Sequence, residues 1–148
     1  MKSEPDVYSI DDLRRDQRTA WNGVRNYQAR NHMRAMKKGD IVLFYHSSAE
    51  VTGVAGLAKV VKEAYPDPTQ FDRKSEYYDP KSAKEDPRWW LVDVGFVERF
   101  PEPVSLQAIK SDKRLEDMVL VNNSRLSVQP VAEDEYERVC AMGGAKHA

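Results

Sequence analysis

The stretch WNGVRNYQARNHMRAMKKGDIVLFYHS, residues 21–47, contains the three patterns around which we expect the rest of the chain to fold. It opens with a tryptophan and an Asn-Gly turn. Residues 26–38 then predict a helix whose charged side chains are all positive. Residues 41–45 are apolar on both faces, which predicts a buried strand, and this strand ends at the polar pair His46-Ser47. Together these patterns predict a small polar-aromatic pocket.

The size and composition are those of a globular protein. The 148 residues suffice for a single domain, residues 1–148, whose core needs no disulfide or structural metal. Hydrophobic residues make up 41% of the chain and charged residues 32%, which is ordinary for a soluble fold. The net charge is -1, so no overall field attracts the protein to nucleic acid or membrane, and any such binding requires a local patch.

Cysteine content and hydropathy bear on the compartment. The single cysteine, Cys140, cannot form an intramolecular disulfide, which is typical of a reducing environment. The first residues, MKSEPDVYSIDDL, lack the apolar run of a signal peptide, and no stretch approaches the roughly 18 apolar residues of a membrane helix. We therefore expect an intracellular protein, cytoplasmic or, in a eukaryote, nuclear, with no membrane partner. The sequence does not determine the oligomeric state, and a monomer is the default expectation.

Helix signals are local and clear. Ser9 predicts the start of a helix over residues 10–16, because Asp12 stands in the capping-box position. Gly39 is expected to end the basic helix. Ser105 is predicted to cap a short helix, and the last predicted helix covers residues 132–142.

Strand signals are spread over the whole chain. Beyond residues 41–45, strands or extended pieces are predicted at 7–10, 53–61, 89–100 and 125–129, with loops or turns at 17–20, 101–103 and 122–124. Strands and helices alternate without a regular βαβ period, which predicts an α+β fold around a curved, mostly antiparallel sheet. The long irregular segment 65–88 contains Tyr77 and Tyr78, and a loop of this length is usually functional or a packed cover.

No catalytic or metal motif is present in the sequence. The chain has no Gly-rich phosphate loop, no CxxC pair, no GxSxG elbow and no histidine pair at metal spacing. His46 and Ser47 are adjacent on an extended chain, so their side chains point to opposite sides and cannot form a nucleophile–base pair. We therefore predict no cofactor and no metal.

A positive cluster stands out against the acidic remainder. Between residues 21 and 38 the charged residues are all cationic, namely Arg25, Arg30, Arg34, Lys37 and Lys38. Arg30, Arg34 and Lys38 are spaced by four and would share a helix face, which suits a phosphate backbone. The alternative is a solvated helix face, and composition alone favours it.

Trp21 and nearby polar residues could contact a base. A tryptophan beside a polar turn can stack on a planar base for roughly 1–3 kcal/mol, although a lone tryptophan is more often a core residue. Asn22, Asn26, His46 and Ser47 carry donors and acceptors suited to a base edge. Each of these polar residues alone is equally consistent with an ordinary loop or cap.

Taken together, several segments resemble the EVE domain family. In chain order they are Met1-Lys-Ser-Glu-Pro5, residues 21–31 (WNGVRNYQARN), Phe44-Tyr-His-Ser47, Glu63-Ala-Tyr-Pro-Asp67, Val92-Asp-Val94 and Arg125-Leu-Ser-Val-Gln-Pro130. The resemblance implies a PUA-like fold, a partly open and mostly antiparallel β-barrel with flanking short helices, related to the YTH readers of methylated adenine. It also implies binding to DNA or RNA through a pocket for a modified base.

Carried onto this chain, the resemblance implies two sets of binding residues. The implied base pocket comprises Ser3, Glu4, Trp21, Asn22, Gly23, Val24, Asn26, Tyr45, His46, Ser47, Leu126 and Ser127. The implied nucleic-acid backbone contacts are Arg25, Arg30, Arg34, Lys37, Lys38 and Arg125, of which Arg25 could instead be structural.

The chain departs from the family pattern in two places. Position 22 is asparagine where an acid is common, which leaves the modification that is read open. Met1 directly precedes Lys2, where family members usually have a few further residues with a tryptophan.

Two other functions remain open from the sequence. An enzyme acting on a nucleotide would use His46 or Asp93 as a general base. A small-molecule or protein-interaction module would use the same pocket and leave the basic helix without a role.

Overall fold

A computed structural model describes residues 1–123 and 125–146 as a mixed five-stranded sheet with short helices packed on it. The strand order is β1-β3-β4-β5-β2; β1 pairs with β3 in parallel and every other neighbouring pair is antiparallel. The strands are β1 Lys2–Ser3, β2 Arg18–Ala20, β3 Ile41–His46, β4 Gly53–Pro66 and β5 Trp90–Ser105. The predicted α+β class and its mostly antiparallel sheet are confirmed.

The two helices predicted from serine caps, after Ser9 and after Ser105, begin where expected, and the helices predicted from residues 26 and 132 each begin one residue later. Ser9 accepts the Asp12 N–H at 3.1 Å and Asp12 returns the bond to the Ser9 N–H at 2.9 Å, completing the capping box. Asn26 and Ser105 cap their helices through side-chain oxygens. The α-helices of the described chain are α1 Ile10–Asp16, α2 Tyr27–Ala35, α3 Leu106–Ser111, α4 Val119–Asn122 and α5 Glu133–Gly143. None of these helices has the length and apolar character needed to span a bilayer.

Strand β3 is buried on both faces, as predicted. Val42 and Phe44 enter one apolar cluster with residues of α1 and α2, whereas Leu43 and Tyr45 enter a second cluster with residues of α3 and α5. This alternation follows from the two-residue period of a strand. The sheet therefore separates two cores, and the end of β3 lies between them.

The first half of the chain differs from the prediction at three points. Residues 18–20 form edge strand β2 rather than a loop, and residues 7–10 are not a strand, because Val7 lies in a turn and Ile10 already starts α1. Helix α2 ends at Ala35, so Gly39 does not cap it; the Gly39 N–H instead donates to Val60 O at 2.8 Å in the turn before β3. Lys38 therefore does not share a helix face with Arg30 and Arg34.

Two strand predictions in the second half were also wrong. Pro101-Glu102-Pro103 does not end β5, because the β4–β5 register jumps here from Arg99 to Val104 and the prolines lie in the bulge, where no ladder N–H is needed. Residues 125–129 form no strand. They are irregular, and the Gln129 amide satisfies the carbonyls of Asn123 and Leu126 at 2.9 and 2.7 Å. Ser124, in the predicted turn, lies outside the described residues.

Candidate functional site

A cavity of about 420 Å³ opens beside the turn that follows β2. Its volume falls within the range of small-ligand pockets, roughly 300–1,000 Å³. The lining comprises Lys2, Ser3, Val7, Tyr8, Thr19, Ala20, Trp21, Asn22, Gly23, Val24, Arg25, Tyr77 and Ser127. The charged residues in this lining are Lys2 and Arg25, and Arg25 is paired with the buried carboxylate of Asp67.

A larger cavity of about 580 Å³ lies elsewhere and has the opposite charge. It opens between Met1, Ile41 and Tyr136, and its charged lining residues are Asp40 and Glu133. It contains none of the residues expected in the base pocket, and its carboxylates disfavour an anionic polymer.

Trp21 is fixed from the core side and remains half-buried at the smaller cavity. Its ring meets the ring of Phe44 edge to face at 5.4 Å, and its backbone N–H donates to Val92 O at 2.9 Å. Trp21 therefore belongs to both the core and the cavity. One part of its ring packs against the core, and another part borders the cavity.

The structure brings part of the expected pocket together. Ser3, Trp21, Asn22, Gly23, Val24 and Ser127 line the cavity, whereas Glu4, Asn26, Tyr45, His46, Ser47 and Leu126 do not. No observation tests which of these residues contact a base, and the whole set stays a prediction.

The expected residues outside the cavity have identifiable structural contacts. His46 Nε2 accepts the Ile10 N–H at 3.0 Å, and burial lowers the pKa of this imidazole because desolvation disfavours its charged form. Asn26 Oδ1 accepts the Ala29 N–H as the α2 cap, and Ser47 bonds to β1 through its backbone. His46 Nε2 and Asn26 Oδ1, two of the atoms expected to read a base edge, are therefore already paired.

Arg25 is anchored beneath the cavity by a buried carboxylate. Asp67 is completely buried; its Oδ2 accepts the Gly23 N–H at 2.8 Å and pairs with Arg25 Nη1 at 3.2 Å. Its Oδ1 accepts both the N–H and the hydroxyl of Thr69, at 2.8 and 2.6 Å. Burial alone would raise the pKa of Asp67, but these hydrogen bonds outweigh it and hold the pKa below its ordinary value.

The long loop reaches the cavity through Tyr77. The Arg25 guanidinium donates to the Tyr77 carbonyl from Nη2 at 2.8 Å and from Nε at 3.3 Å. Gly23 has a φ of +81°, and a Cβ added there would lie 2.6 Å from Cζ of Tyr77. The Tyr77 ring thus rests directly on the Gly23 backbone, where only glycine leaves room for it.

The basic residues of α2 stack on aromatic rings. The Arg30 guanidinium lies 4.7 Å from the Tyr27 ring centroid, and Tyr27 stacks on Trp89 with centroids 4.9 Å apart. Arg30 also donates to Arg88 O at 2.9 Å, and Arg34 lies 4.5 Å from the Trp90 ring. Both arginines pack α2 against the segment that opens β5, with part of their charge still facing solvent.

The remaining cations expected at the nucleic-acid backbone are on the surface. Lys37, Lys38 and Arg125 are exposed, and none of the three lines the cavity. Their assignment as phosphate contacts stays a prediction. Among the described residues, no group of three or more His, Cys, Asp or Glu side chains could hold a metal ion.

Several lining and anchoring residues escaped the sequence analysis. Tyr8, Thr19 and Tyr77 line the cavity, and Asp67 supports it from below. Asp67 is the last residue of one of the segments that resemble the EVE family, but the resemblance gave it no role in the site. The two tyrosines within the 65–88 loop were a second signal, but nothing local told Tyr77 from Tyr78.

Comparison with known proteins identifies the family. The EVE domain model matches residues 1–142. Human thymocyte nuclear protein 1 is 44% identical over 161 residues, covering 96% of this chain and 72% of the human protein. The chicken protein of the same name is 43% identical, covering 96% of this chain and 66% of its own length.

Solved structures agree with this match. A hypothetical protein from Leishmania major is 50% identical with a TM-score of 0.94, covering 100% of this chain and 94% of that one. Human THYN1, solved in complex with DNA containing 5-methylcytosine, is 43% identical with a TM-score of 0.92, covering 99% and 96%. The PUA-like fold expected from the sequence is confirmed, and the chain belongs to the EVE domain family.

Proposed function

We propose that this protein is a binding module that reads a modified nucleobase in DNA or RNA. The base enters the cavity of about 420 Å³ and stacks near Trp21. Asn22 and Ser127 offer polar groups to its edge, and the Ser3 hydroxyl, which donates to Tyr8 O at 2.6 Å, retains only its capacity to accept. The sugar-phosphate backbone passes over the positively charged surface formed by Lys2 and the basic residues around α2.

The observation that carries the proposal is the composition of this cavity. It combines a partly exposed tryptophan, a wall of hydroxyl and amide groups, and lining charges of positive sign only. Planar bases stack on such rings, and phosphates are attracted to cationic side chains such as those of Lys2 and the exposed basic residues around α2. The solved complex of human THYN1 with 5-methylcytosine-containing DNA supports the same class of ligand for this chain.

Energetics set the expected affinity. Extruding a base from a duplex costs a few kcal/mol, and less from a single strand. Stacking returns roughly 1–3 kcal/mol per base, and the rest comes from hydrogen bonds and counterion release. We therefore expect modest affinity, a clear salt dependence, and tighter binding to single strands or mismatched sites.

The geometry supports binding rather than catalysis. His46 Nε2 is occupied by the Ile10 N–H, and Asp93 is held by Arg18 at 2.8 Å and by the Tyr65 hydroxyl at 2.6 Å. Neither residue lines the cavity, so neither of the two bases considered from the sequence faces a ligand bound there. An intracellular location suits this role, and relatives named as nuclear proteins support it.

The test is a titration with matched oligonucleotides, measured by fluorescence anisotropy at several salt concentrations. One set contains a central 5-methylcytosine and the other an unmodified cytosine, each as DNA and as RNA, with N6-methyladenine and adenine as a second pair. The proposal expects one modified oligonucleotide to bind more tightly than its unmodified partner, with affinity falling as salt rises. Equal affinities without a salt slope would overturn it, and free nucleosides binding as tightly as oligonucleotides would indicate a small-molecule module.

A further inference from the structure

We infer that Tyr77 determines which modified base the cavity accepts, and that Arg25 is the residue that positions Tyr77 there. The inference rests on the proposed reader function and extends it to the long loop between β4 and β5. Its basis is the way in which the 67–88 segment reaches the cavity.

The Tyr77 ring forms a wall of the cavity that no strand or helix supplies. Tyr77 is the one cavity-lining residue that comes from the long loop; the other lining residues belong to the first 25 residues or to position 127. Because Gly23 has no side chain, the ring sits against the backbone of the turn that carries Trp21. A base beside Trp21 is therefore bounded by a second aromatic ring whose place depends on the loop.

The loop is held at this point by partly buried hydrogen bonds from Arg25. Arg25 donates two hydrogen bonds to the Tyr77 carbonyl, and its guanidinium lies 5.5 Å from the Tyr77 ring and 5.4 Å from the Trp89 ring. Asp67 holds both Arg25 and the Gly23 N–H. Displacing the Tyr77 backbone thus requires breaking its bonds to a guanidinium that is itself paired with a carboxylate without solvent access.

Hydrogen bonds from Gln70 also join the start of the loop, at Asp67, to the residue that follows its end, Trp89. Gln70 is fully buried; its amide donates to Asp67 O and Trp89 O, each at 2.8 Å, and its oxygen accepts the Trp89 N–H at 3.0 Å. The Trp89 indole N–H donates to Asp79 Oδ2 at 2.7 Å. The loop is therefore preorganised before any ligand binds. A base can enter only if its shape fits between the Tyr77 ring and the turn that carries Trp21.

A wall of this kind discriminates by shape. A pocket that fits one additional methyl group separates two ligands by roughly tenfold or more. Removing the ring while leaving the loop in place should widen the cavity and abolish that difference. The electrostatic attraction between the protein and the sugar-phosphate backbone would remain, because Tyr77 carries no charge at neutral pH. Burial keeps the pKa of its phenol above the ordinary value.

The test compares Tyr77→Ala, Tyr77→Phe and the control Tyr78→Ala, the adjacent half-buried tyrosine that does not line the cavity. Each variant is titrated with the oligonucleotide pair that the wild type distinguishes, starting with 5-methylcytosine against cytosine. Tyr77→Ala should reduce a preference of roughly tenfold to about threefold or less, with the salt slope unchanged. Tyr77→Phe and Tyr78→Ala should keep the preference.

Arg25→Lys tests the positioning role separately. Lysine keeps the charge but cannot donate the forked pair of bonds to the Tyr77 carbonyl, so the ratio between the two oligonucleotides should fall part of the way towards that of Tyr77→Ala. A purely structural role would lower stability without changing the ratio between the two oligonucleotides. A Tyr77→Ala protein that keeps the full preference would overturn the inference while leaving the reader function standing. A wild type that shows no preference for any modified oligonucleotide and no salt slope would overturn both.

Discussion

The Asp67 carboxylate accepts the Gly23 N–H at 2.8 Å and joins two segments that lie 44 residues apart in the chain. Gly23 belongs to the turn that carries Trp21, whereas Asp67 begins the long loop that ends at β5. The same carboxylate also holds Arg25. One buried group therefore sets the distance between two walls of the cavity.

Asp67→Asn should lower the free energy of unfolding by about 3 kcal/mol. The amide keeps the shape of the side chain but removes the charge that Arg25 requires, and it places an NH₂ where an oxygen accepts. Urea denaturation at pH 7 measures the change. The exposed Asp6→Asn is the control and should shift the free energy by less than about 0.5 kcal/mol.

The effect of Asp67 should depend on pH in the acid range. Its pKa in the folded state lies below the ordinary 3.8, so the unfolded chain binds the proton more tightly. The stabilisation is fully present above the ordinary pKa and is lost as pH falls through the folded value. The gap in unfolding free energy between wild type and Asp67→Asn should therefore narrow below about pH 4. A gap that stays constant down to the acid transition would contradict this assignment.

Gly23→Ala should cost more than Gly39→Ala, although both glycines have positive φ angles of +81° and +96°. At Gly39 a Cβ would meet nothing within 4 Å, so only the backbone penalty of about 1–2 kcal/mol applies. At Gly23 the methyl group must also displace the Tyr77 ring. Thermal or urea unfolding of the two variants measures the difference, and adding Tyr77→Ala to Gly23→Ala should recover the steric part. Equal costs for the two single variants would mean that Tyr77 moves aside freely.

Much of the fold could be predicted because its signals are local. Ser9 with Asp12, and the apolar run of β3, each specify their element within a few residues. Pro101 and Pro103 led to a wrong prediction of where β5 ends. A strand accommodates them here only because of the β4–β5 bulge, and that bulge depends on the pairing of two strands that are far apart in sequence. The alternating apolar residues Leu126 and Val128 predicted a strand. Both side chains are buried in the core, but the segment that carries them is irregular.

The cavity was predictable from one side only. Trp21 to Val24 form a contiguous turn, so their proximity to one another follows from the sequence. Tyr77 lies more than fifty residues away and is placed by Asp67 and Arg25 through contacts that no local pattern encodes. His46 was misleading because an imidazole at a strand end has two plausible partners, a ligand or a helix N-terminus, and here it bonds to the Ile10 N–H.

His46 should make the folded protein sensitive to mild acid. Burial lowers the pKa of its imidazole below 6.5, so protonation in the folded state is disfavoured and would break the bond from the Ile10 N–H. The unfolded state binds more protons at His46 between the folded pKa and 6.5, so the contribution of His46 to stability falls as pH decreases through that window and is constant above it. His46→Gln should be less sensitive between about pH 7 and pH 5 in urea denaturation. An NMR titration in which His46 shows an ordinary or raised pKa would contradict the prediction.

Arg34→Gln should weaken nucleic-acid binding without changing base preference. Arg34 lies on the exposed side of α2 and stacks on Trp90, outside the cavity lining. If it neutralises one phosphate, the slope of log K against log salt should fall by about 0.7–0.9, while the ratio between modified and unmodified oligonucleotides stays constant. Lys110→Gln, on helix α3, removes the same charge elsewhere and should leave the slope unchanged. An unchanged slope for Arg34→Gln would remove Arg34 from the binding surface.

Trp21 should report directly on base binding. It is half-buried at the cavity, whereas Trp89 is buried with its indole N–H bonded to Asp79, and Trp90 is covered by Arg34. A base stacking near Trp21 should therefore quench the intrinsic fluorescence of the wild type. Trp21→Phe should lose most of the quench and bind about tenfold more weakly, because a smaller ring offers less stacking area.

Trp90→Phe is the matched control for this experiment. It removes a tryptophan outside the cavity, and the quench by the modified oligonucleotide should persist. Trp21→Phe retains an aromatic ring near Phe44, so its melting temperature should stay close enough to that of the wild type for both titrations to be made on folded protein. If the quench survives in Trp21→Phe and disappears in Trp90→Phe, the base binds on the α2 surface beside Arg34 rather than in the cavity.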